Sequence, residues 1–152
     1  TFHVGDSRVL IVAPNGTVKF VTKDHNCENE AEVNRVSAEG GYLWGRNLCP
    51  ASGKIALRMF RSFGDLDYPG KSDEPEVHHG NVEPGDTVVV CCDGVFSASE
   101  EKKPFANVEI AQLIQRRKAD GLTDQGIAEQ IVYAAKGRGS RADITAVVMS
   151  IK

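Results

Sequence analysis

The sequence lacks the features that mark membrane, secreted and nucleic-acid-binding proteins. Among its 152 residues, no apolar run approaches the roughly 20 residues that a transmembrane helix needs. No secretory signal pattern is present. No stripe of lysine or arginine stands out and the net charge is −3, so no electrostatic argument favours nucleic acid as a partner. We therefore expect no membrane span and no nucleic-acid partner.

Cysteine and histidine occur without the spacings that build metal sites or disulfide frameworks. The four cysteines show no zinc spacing, and Cys91 and Cys92 are adjacent in a predicted strand, so their side chains point to opposite faces. We expect reduced thiols, which are typical of a cytoplasmic or nuclear protein. The histidines show no metalloprotease spacing and are expected mostly in surface loops: His3, His25, His78 and His79.

What is present is the composition of an ordinary globular domain. Apolar residues make up 41% and charged residues 26% of the chain, and the length suits one domain. Residue patterns predict strands over 2–4, 9–12, 18–22, 42–44, 55–59 and 144–151, and helices over 30–39, 108–118 and 124–136. Because strands flank a helical pair without regular alternation, we expect an α+β fold with mostly antiparallel strands.

Turn and cap residues mark the ends of several of these elements. Pro14-Asn15-Gly16 predicts a tight turn that closes a hairpin. Asn107 and Thr123 are predicted helix caps, and residues 66–76 are predicted to form an exposed loop. The chain starts at Thr1, without an initiator Met and inside a predicted strand, so we expect it to be part of a longer product.

A run of β-branched residues ends abruptly in a carboxylate. Val88-Val89-Val90 leads into Cys91-Cys92-Asp93-Gly94, and turn formers bound the run on both sides. This pattern predicts a fully buried strand with Asp93 at its mouth. Two interpretations of Asp93 stay open on this fragment: a cap of the following turn, or a metal-binding or catalytic carboxylate held at the edge of the core.

Four aspartates lie at strand ends or tight turns: Asp6, Asp65, Asp93 and Asp143. Asp6, Asp65 and Asp93 are next to Gly or Ser, Asp143 is two residues before Thr145, and three of the four have an arginine close by in sequence. Carboxylates clustered at one sheet edge would suit hard cations such as Mg²⁺ and Mn²⁺. The alternative is that they form turns and pair with the local arginines.

Spacing excludes other phosphate chemistries. A cysteine-dependent phosphatase needs an arginine six residues after its nucleophile, where Cys91 and Cys92 are followed by Ser97 and Ala98. A haloacid-dehalogenase-type site needs a nucleophilic aspartate at the position of Cys91. A P-loop needs Gly-x4-Gly-Lys-Ser/Thr, which the Gly53-Lys54 pair lacks.

Seven short motifs follow one another in a defined order along nearly the whole chain. The segments are Val4-Gly5-Asp6-Ser7-Arg8, Thr22-Lys23-Asp24-His25, Glu32-Val33-Asn34-Arg35-Val36 with Gly40-Gly41, Arg61-Ser62-Phe63-Gly64-Asp65, Glu74-Pro75-Glu76-Val77, Cys92-Asp93-Gly94-Val95-Phe96 and Asp143-Ile144-Thr145-Ala146-Val147-Val148. With these motifs the chain resembles the C-terminal part of the metal-dependent protein serine/threonine phosphatases, the protein phosphatase 2C (PPM) family.

The resemblance implies a fold, a reaction and site residues. It implies that residues 1–152 are a partial protein phosphatase 2C-like domain, part of a two-sheet antiparallel β-sandwich flanked by helices. A binuclear Mg²⁺ or Mn²⁺ centre would activate a water that attacks the phosphorus of phosphoserine or phosphothreonine. Asp93 matches a ligand of that centre, and Asp6 a position associated with an additional, weaker metal. Arg61 and Asp65 match structural positions that brace the loops beneath the site.

Three departures from the family pattern bear on activity. The N-terminal motifs, which carry the phosphate-binding arginine and the acid, are absent, so the catalytic residues of this chain are unknown. Ala142 stands at a ligand position and Asp143 at the following asparagine position, so Asp143 could serve as a ligand only through a local bulge. Ser97 stands where many relatives have an aspartate.

These departures leave two hypotheses of different class. The first is a piece of an active phosphatase that acts on a phosphoprotein. The second is a pseudophosphatase, a module that binds a regulatory or partner protein. In either case we expect this chain alone to be weak or inactive as an enzyme. We also expect self-association through exposed sheet surfaces, because much of the sandwich is missing.

Overall fold

The computed structural model describes residues 1–53 and 56–152, which divide into two compact units. The first unit contains residues 1–6 and 23–78, and the second contains residues 7–22 and 79–152. The strands are β1 (Phe2–His3), β2 (Arg8–Val12), β3 (Val18–Val21), β4 (Tyr42–Trp44), β5 (Asn47–Cys49), β6 (Glu76–Val77), β7 (Thr87–Cys91) and β8 (Ala146–Ser150). The helices are α1 (Glu30–Ala38), α2 (Asn107–Ala119) and α3 (Asp124–Gly137), with a short 3-10 turn at Asp93–Phe96.

The second unit is built on a four-stranded antiparallel sheet in the order β3-β2-β7-β8. The predicted hairpin is confirmed, because β2 and β3 pair and the Ala13 N–H donates to the Thr17 carbonyl at 2.8 Å. Gly16 has a φ of +82°, which glycine adopts without strain. The mixed α+β class with antiparallel strands, predicted from the sequence, is thus what the structure shows.

Helices α2 and α3 cover one face of this sheet and form the core of the second unit. The buried side chains come from alternate strand positions and from the helix faces that meet them: Leu10, Val12, Val89, Cys91, Ile110, Ile114, Ile127 and Ile131. Burying a branched side chain of this kind contributes about 1.5–3 kcal/mol. The ends of β2, β7 and β8 are therefore fixed by packing.

The prediction that the Val88–Val90 run is buried on both faces is wrong. Within β7, Val89 and Cys91 are fully buried, whereas Val88 is only partly buried and Val90 is 39% exposed. The helices cover only the face to which Val89 and Cys91 point. A continuous apolar run therefore marked a strand correctly but overstated its burial.

Some element boundaries also differ from the predictions. Asn107 is the first residue of α2 and not its cap; the cap is Ala106, whose N–H donates to the Glu109 carboxylate at 2.8 Å. Asn107 instead accepts a hydrogen bond from Arg8 at 3.2 Å. The predicted cap at Thr123 is confirmed, since its hydroxyl oxygen accepts from the Gly126 N–H.

The first unit contains two small antiparallel ribbons and α1. β1 pairs with β6, and β4 pairs with β5. Strand β5 lies between the predicted strands at 42–44 and 55–59, in a segment for which no strand was predicted. The predicted strand at 55–59 begins outside the described residues, and its described part makes only isolated bridges at Leu57 and Met59. Val36, Leu48 and Phe60 form the fully buried core of this unit. Within the described ranges, no helix has the length and apolar character that a membrane crossing requires.

Candidate functional site

Asp93 opens a tight turn at the end of β7, in the second unit. The turn spans Asp93–Phe96, and the Asp93 side chain is exposed to solvent. Gly94 is buried, and a Cβ atom placed on it would lie 2.1 Å from the Asp143 carbonyl oxygen. The backbone of this turn therefore approaches the backbone at Asp143 as closely as only glycine permits.

Further hydrogen bonds fix the same turn to residues 140–145. The Ser140 hydroxyl donates to the Gly94 carbonyl at 2.8 Å. The Cys92 thiol accepts from the Thr145 N–H at 3.1 Å and donates to the Asp143 carbonyl at 3.3 Å. The structure thus brings the backbones that carry Asp93 and Asp143 together and holds Asp93 at the rim of the unit. The Ala142 and Asp143 side chains are both exposed.

Asp6 belongs to the first unit, where a buried histidine holds the residue before it. The Gly5 N–H donates to Nδ1 of His25 at 3.1 Å, and the His25 N–H donates to the Gly5 carbonyl at 3.0 Å. Because Nδ1 accepts, the ring proton resides on Nε2, which donates to Glu76 Oε2 at 3.1 Å. Burial lowers the pKa of His25, and the hydrogen bond to Glu76 offsets only part of that effect.

Arg61 lies at the centre of an ion-pair network in the first unit. Its guanidinium group donates to both carboxylate oxygens of Glu32, with an Nε–Oε1 distance of 3.0 Å, and to the Glu74 carbonyl at 2.8 Å. Arg35 donates to the same carboxylate at 2.9 Å. Burial alone would raise the pKa of Glu32, but the hydrogen bonds from Arg61 and Arg35 lower it to about 2. Arg61 therefore ties α1 to the segment that follows Phe60.

Asp65 makes a more local contact. Its carboxylate accepts from the Ser62 hydroxyl at 2.7 Å, and its φ of +50° places it in the left-handed region. Aspartate tolerates this region better than most residues, since its short side chain can bond locally. The structure therefore places Arg61 in a bracing network and Asp65 in a tight turn. Their roles beneath a metal site remain predictions.

The clustering of donor side chains bears on the carboxylates predicted as metal ligands. Across residues 1–53 and 56–152, the one group of three His, Cys, Asp or Glu donors close enough to share an ion is His3, His25 and Glu76. None of the predicted ligands Asp93, Asp6 and Asp143 belongs to it. A binuclear centre needs several carboxylates and waters around each ion. The described residues therefore do not fit a binuclear centre by themselves.

Comparison with known proteins decides the family. A family model described as "Protein phosphatase 2C" matches residues 1–144. The chain belongs to the protein phosphatase 2C family. Human "Protein phosphatase 1F" is 29% identical over 157 residues, covering 100% of this chain and 33% of that protein. "Probable protein phosphatase 2C 12" of Arabidopsis thaliana is 31% identical over 160 residues, covering 97% of this chain and 35% of that protein.

Solved structures confirm the protein phosphatase 2C fold. A phosphatase from Toxoplasma gondii superposes with a TM-score of 0.77 at 20% identity, covering 99% of this chain and 46% of that one. A C. elegans sex determining protein superposes with a TM-score of 0.76 at 23% identity, covering 98% of this chain and 36% of that one. The chain thus spans about a third of the length of the curated relatives it matches.

Sequence reasoning missed the buried histidines of this protein phosphatase 2C segment. The four histidines were expected mostly in surface loops, yet His25 is fully buried and His3 is 5% exposed. Isolated histidines carry no periodic signal, and the partners of His25 lie 20 and 51 residues away in sequence. One available signal was the position of His25 inside a motif shared with the family.

Proposed function

We propose that this chain is the metal-binding, C-terminal part of a protein phosphatase 2C domain whose reaction is hydrolysis of phosphoserine or phosphothreonine in a protein substrate. The single observation that best supports this is the Asp93–Gly94 turn. It places one solvent-exposed carboxylate at the rigid end of β7, with its backbone packed against residues 140–145. We place the protein in the cytoplasm or nucleus, consistent with its four free cysteines.

We propose roles for the residues present that are consistent with the metal dependence of the family. Mg²⁺ or Mn²⁺ held by a complete domain would supply a nucleophilic water at neutral pH and would neutralise phosphate charge. In our proposal Asp93 is a ligand of the main centre and Asp6 a ligand of an additional, weaker ion. The contribution of this chain is to hold those carboxylates at fixed backbone positions: Asp93 through Gly94 and Ser140, and Asp6 through Gly5 and His25.

This chain alone is proposed to be weak or inactive as an enzyme. Ala142 offers a methyl group where the family has a carboxylate, and Asp143 follows one residue later on an exposed segment. The Ser97 hydroxyl donates to the Asp93 carbonyl at 3.2 Å, so it supports the turn and supplies no negative charge. Too few carboxylates remain to remove water from Mg²⁺, which dehydrates reluctantly.

The same two positions support a second candidate function. A pseudophosphatase would keep the fold and lose the ligands, and Ala142 and Ser97 are both losses of that kind. Such a protein would act by binding a partner protein. Assay of the full-length protein on a phosphopeptide separates the candidates, because only an active phosphatase shows turnover that a chelator abolishes.

The ligand assignment is tested by restoring the missing carboxylate. Ala142→Asp is expected to strengthen Mn²⁺ binding to this chain by about tenfold or more, since even changes beyond the direct ligands shift metal affinity by about 10–100-fold. Titration calorimetry measures this, with Ala142→Asn as the uncharged control and Asp93→Asn added to remove the gain. Equal Mn²⁺ affinity in Ala142→Asp and Ala142→Asn contradicts the assignment. Robust, chelator-sensitive phosphopeptide hydrolysis by the unchanged chain contradicts the proposed inactivity.

A further inference from the structure

The tip of the β2–β3 hairpin carries an asparagine that is followed directly by glycine. Asn15 is exposed to solvent, and Gly16 has a φ of +82°. The chain contains seven asparagines, and none of the other six precedes a glycine. The following residue matters because glycine has no side chain that would hinder the approach of its backbone nitrogen to the asparagine side chain.

The side chain of Asn15 is folded over the backbone of the turn. Its Oδ1 atom accepts a hydrogen bond from the Thr17 N–H at 3.0 Å. In this arrangement an asparagine side chain bonds to its own backbone two residues on. The side-chain amide therefore spans Gly16, and its carbon Cγ is turned toward the Gly16 nitrogen. The hydrogen bond to Oδ1 also draws electron density from Cγ and makes this carbon more electrophilic.

One hydrogen bond at the tip has to open before the Gly16 nitrogen can react. The Gly16 N–H donates to the Ala13 carbonyl at 2.9 Å. The hairpin remains closed without that bond, because the Ala13 N–H donates to the Thr17 carbonyl at 2.8 Å and the β2–β3 ladder follows. Loop tips open at a small fraction of the free energy of global unfolding. The folded chain can therefore reach the reactive conformation.

We propose that Asn15 is a site of spontaneous deamidation in the folded chain. The Gly16 nitrogen gives up its proton to solvent and attacks Asn15 Cγ. A new N–C bond forms, the Cγ–Nδ2 bond breaks, and Nδ2 leaves as ammonia. Water then opens the cyclic imide: attack at Cγ gives aspartate at position 15, and attack at the main-chain carbonyl gives isoaspartate. Water is the only co-reactant. This inference does not depend on the proposed phosphatase function.

The isoaspartate product changes the length of the turn. Its main chain passes through Cβ and Cγ of residue 15 and so gains one carbon atom. Turn type and loop length fix the register of a hairpin. The tip also lies against α2, since a Cβ atom on Gly16 would be 2.8 Å from Gln115 Oε1. We therefore expect the isoaspartate form of the chain to be less stable than the unmodified form.

The test is incubation of the full chain at neutral and at mildly alkaline pH, followed by proteolysis and mass spectrometry. We expect the peptide that contains Asn15 to gain the mass difference between a hydroxyl and an amino group. The gain should be faster at the higher pH, because the attack needs a deprotonated nitrogen. Asn81 is the matched internal control, since it is also exposed but precedes Val82, whose branched side chain hinders the nitrogen.

A variant and a second measurement complete the test. Asn15→Gln lengthens the side chain by one methylene and should abolish the mass gain in this peptide. Isoaspartate is identified by methyl transfer from S-adenosylmethionine with an isoaspartate-specific methyltransferase. Ion exchange separates the modified chain by its added negative charge, and the isoaspartate form should unfold at a lower urea concentration.

Circular dichroism after incubation shows that the chain and the variant are folded. The proposal is overturned if the Asn15 peptide of the folded chain keeps its mass, if Asn81 reacts as fast as Asn15, or if the peptide of Asn15→Gln gains mass equally. Equal urea midpoints of the isoaspartate and unmodified forms would contradict the predicted effect on the hairpin.

Discussion

At the scale of single residues, the geometry of the candidate site depends on the absence of a side chain at Gly94. Gly94 has no side chain, and the Asp143 carbonyl oxygen occupies the space where a Cβ atom would lie. The obstructing atom belongs to the backbone, so it cannot rotate away as a flexible side chain would. The position of Asp93 relative to residues 140–145 therefore rests on glycine at position 94.

Gly94→Ala is expected to destabilise the protein, because the new methyl group would lie 2.1 Å from that carbonyl oxygen. Overpacking of this kind costs about 1–3 kcal/mol, and more where backbone has to move. Urea denaturation followed by circular dichroism measures the loss. Gly126→Ala is the control, since its Cβ would meet its nearest neighbour at 3.6 Å, and alanine in a helix should stabilise by about 0.5–1 kcal/mol. Equal stability of the two variants contradicts the argument.

Prediction from the sequence succeeded for features that a short, contiguous pattern of residues specifies. The strand that ends at Asp93-Gly94 was predicted from a β-branched run and a turn, and the structure contains that strand and that turn. The bonds that fix the turn come from Ser140 and Thr145, about fifty residues later in the chain. No local pattern specifies such partners, so they could not be predicted.

At the scale of elements, the packing of neighbouring elements determines how buried a strand is and which partners its side chains bind. The hairpin of β2 and β3 was predicted because a Pro-Asn-Gly turn fixes it locally. The burial of β7 was overestimated because burial depends on what covers each face of the sheet. Asn107 was predicted as a cap, yet Arg8 from β2 engages its side chain. The first error arose because one face of β7 is left uncovered, and the second because a tertiary contact replaced a local preference.

The β1–β6 ribbon also depends on its tertiary surroundings, since each of its strands has only two residues. Ribbons of this size are not stable in isolation. His25 connects the ribbon to the chain around it, bonding Gly5 next to β1 and Glu76 in β6. Arg61 and Glu32 lie near this ring, and His3 stacks against it. The ribbon is therefore expected to depend on an uncharged His25.

Mild acid is expected to destabilise the protein through His25. Burial lowers the pKa of His25 in the folded chain, whereas the unfolded chain takes up a proton near the ordinary value of 6.5. The unfolded state thus binds more protons as the pH falls through 6.5, so stability is full above that pH and declines below it. Glu32, with a pKa of about 2 against an ordinary 4.5, adds a loss only below about pH 4.5.

The window between pH 6.5 and 4.5 therefore isolates the histidine. Thermal unfolding in the presence of a chelator should show a falling midpoint across this window. His25→Asn keeps an acceptor for the Gly5 N–H and does not titrate, so it should lower stability at pH 7 and flatten the pH dependence. His79→Asn, at an exposed position, should retain the slope of the unchanged chain. An undiminished slope in His25→Asn would show that another group is responsible.

At the scale of the whole molecule, the second unit presents an apolar sheet face that its helices do not cover. Cross-strand pairs place one set of side chains on that face: Val9, Ile11, Phe20, Val88, Val90, Val147 and Met149. Val90, Val147 and Met149 are exposed. Contiguous apolar surface of this kind on a soluble protein marks an interaction site or a tendency to associate.

Self-association through this face is the expected behaviour of the isolated chain. The chain is expected to show a mass that rises with concentration in sedimentation or light-scattering measurements, because burying apolar area contributes about 25 cal/mol per Å². Replacing Val147 and Met149 together by threonine should shift the equilibrium towards the monomer while leaving the fold intact, since both side chains point away from the helices. Tyr133→Gln is the matched control: it removes an exposed aromatic residue from α3, which packs on the opposite face, and should leave the mass unchanged. If the unchanged chain is a monomer at every concentration, this face remains exposed to water without causing association. If Tyr133→Gln has an equal effect, association depends on general hydrophobicity and not on the sheet.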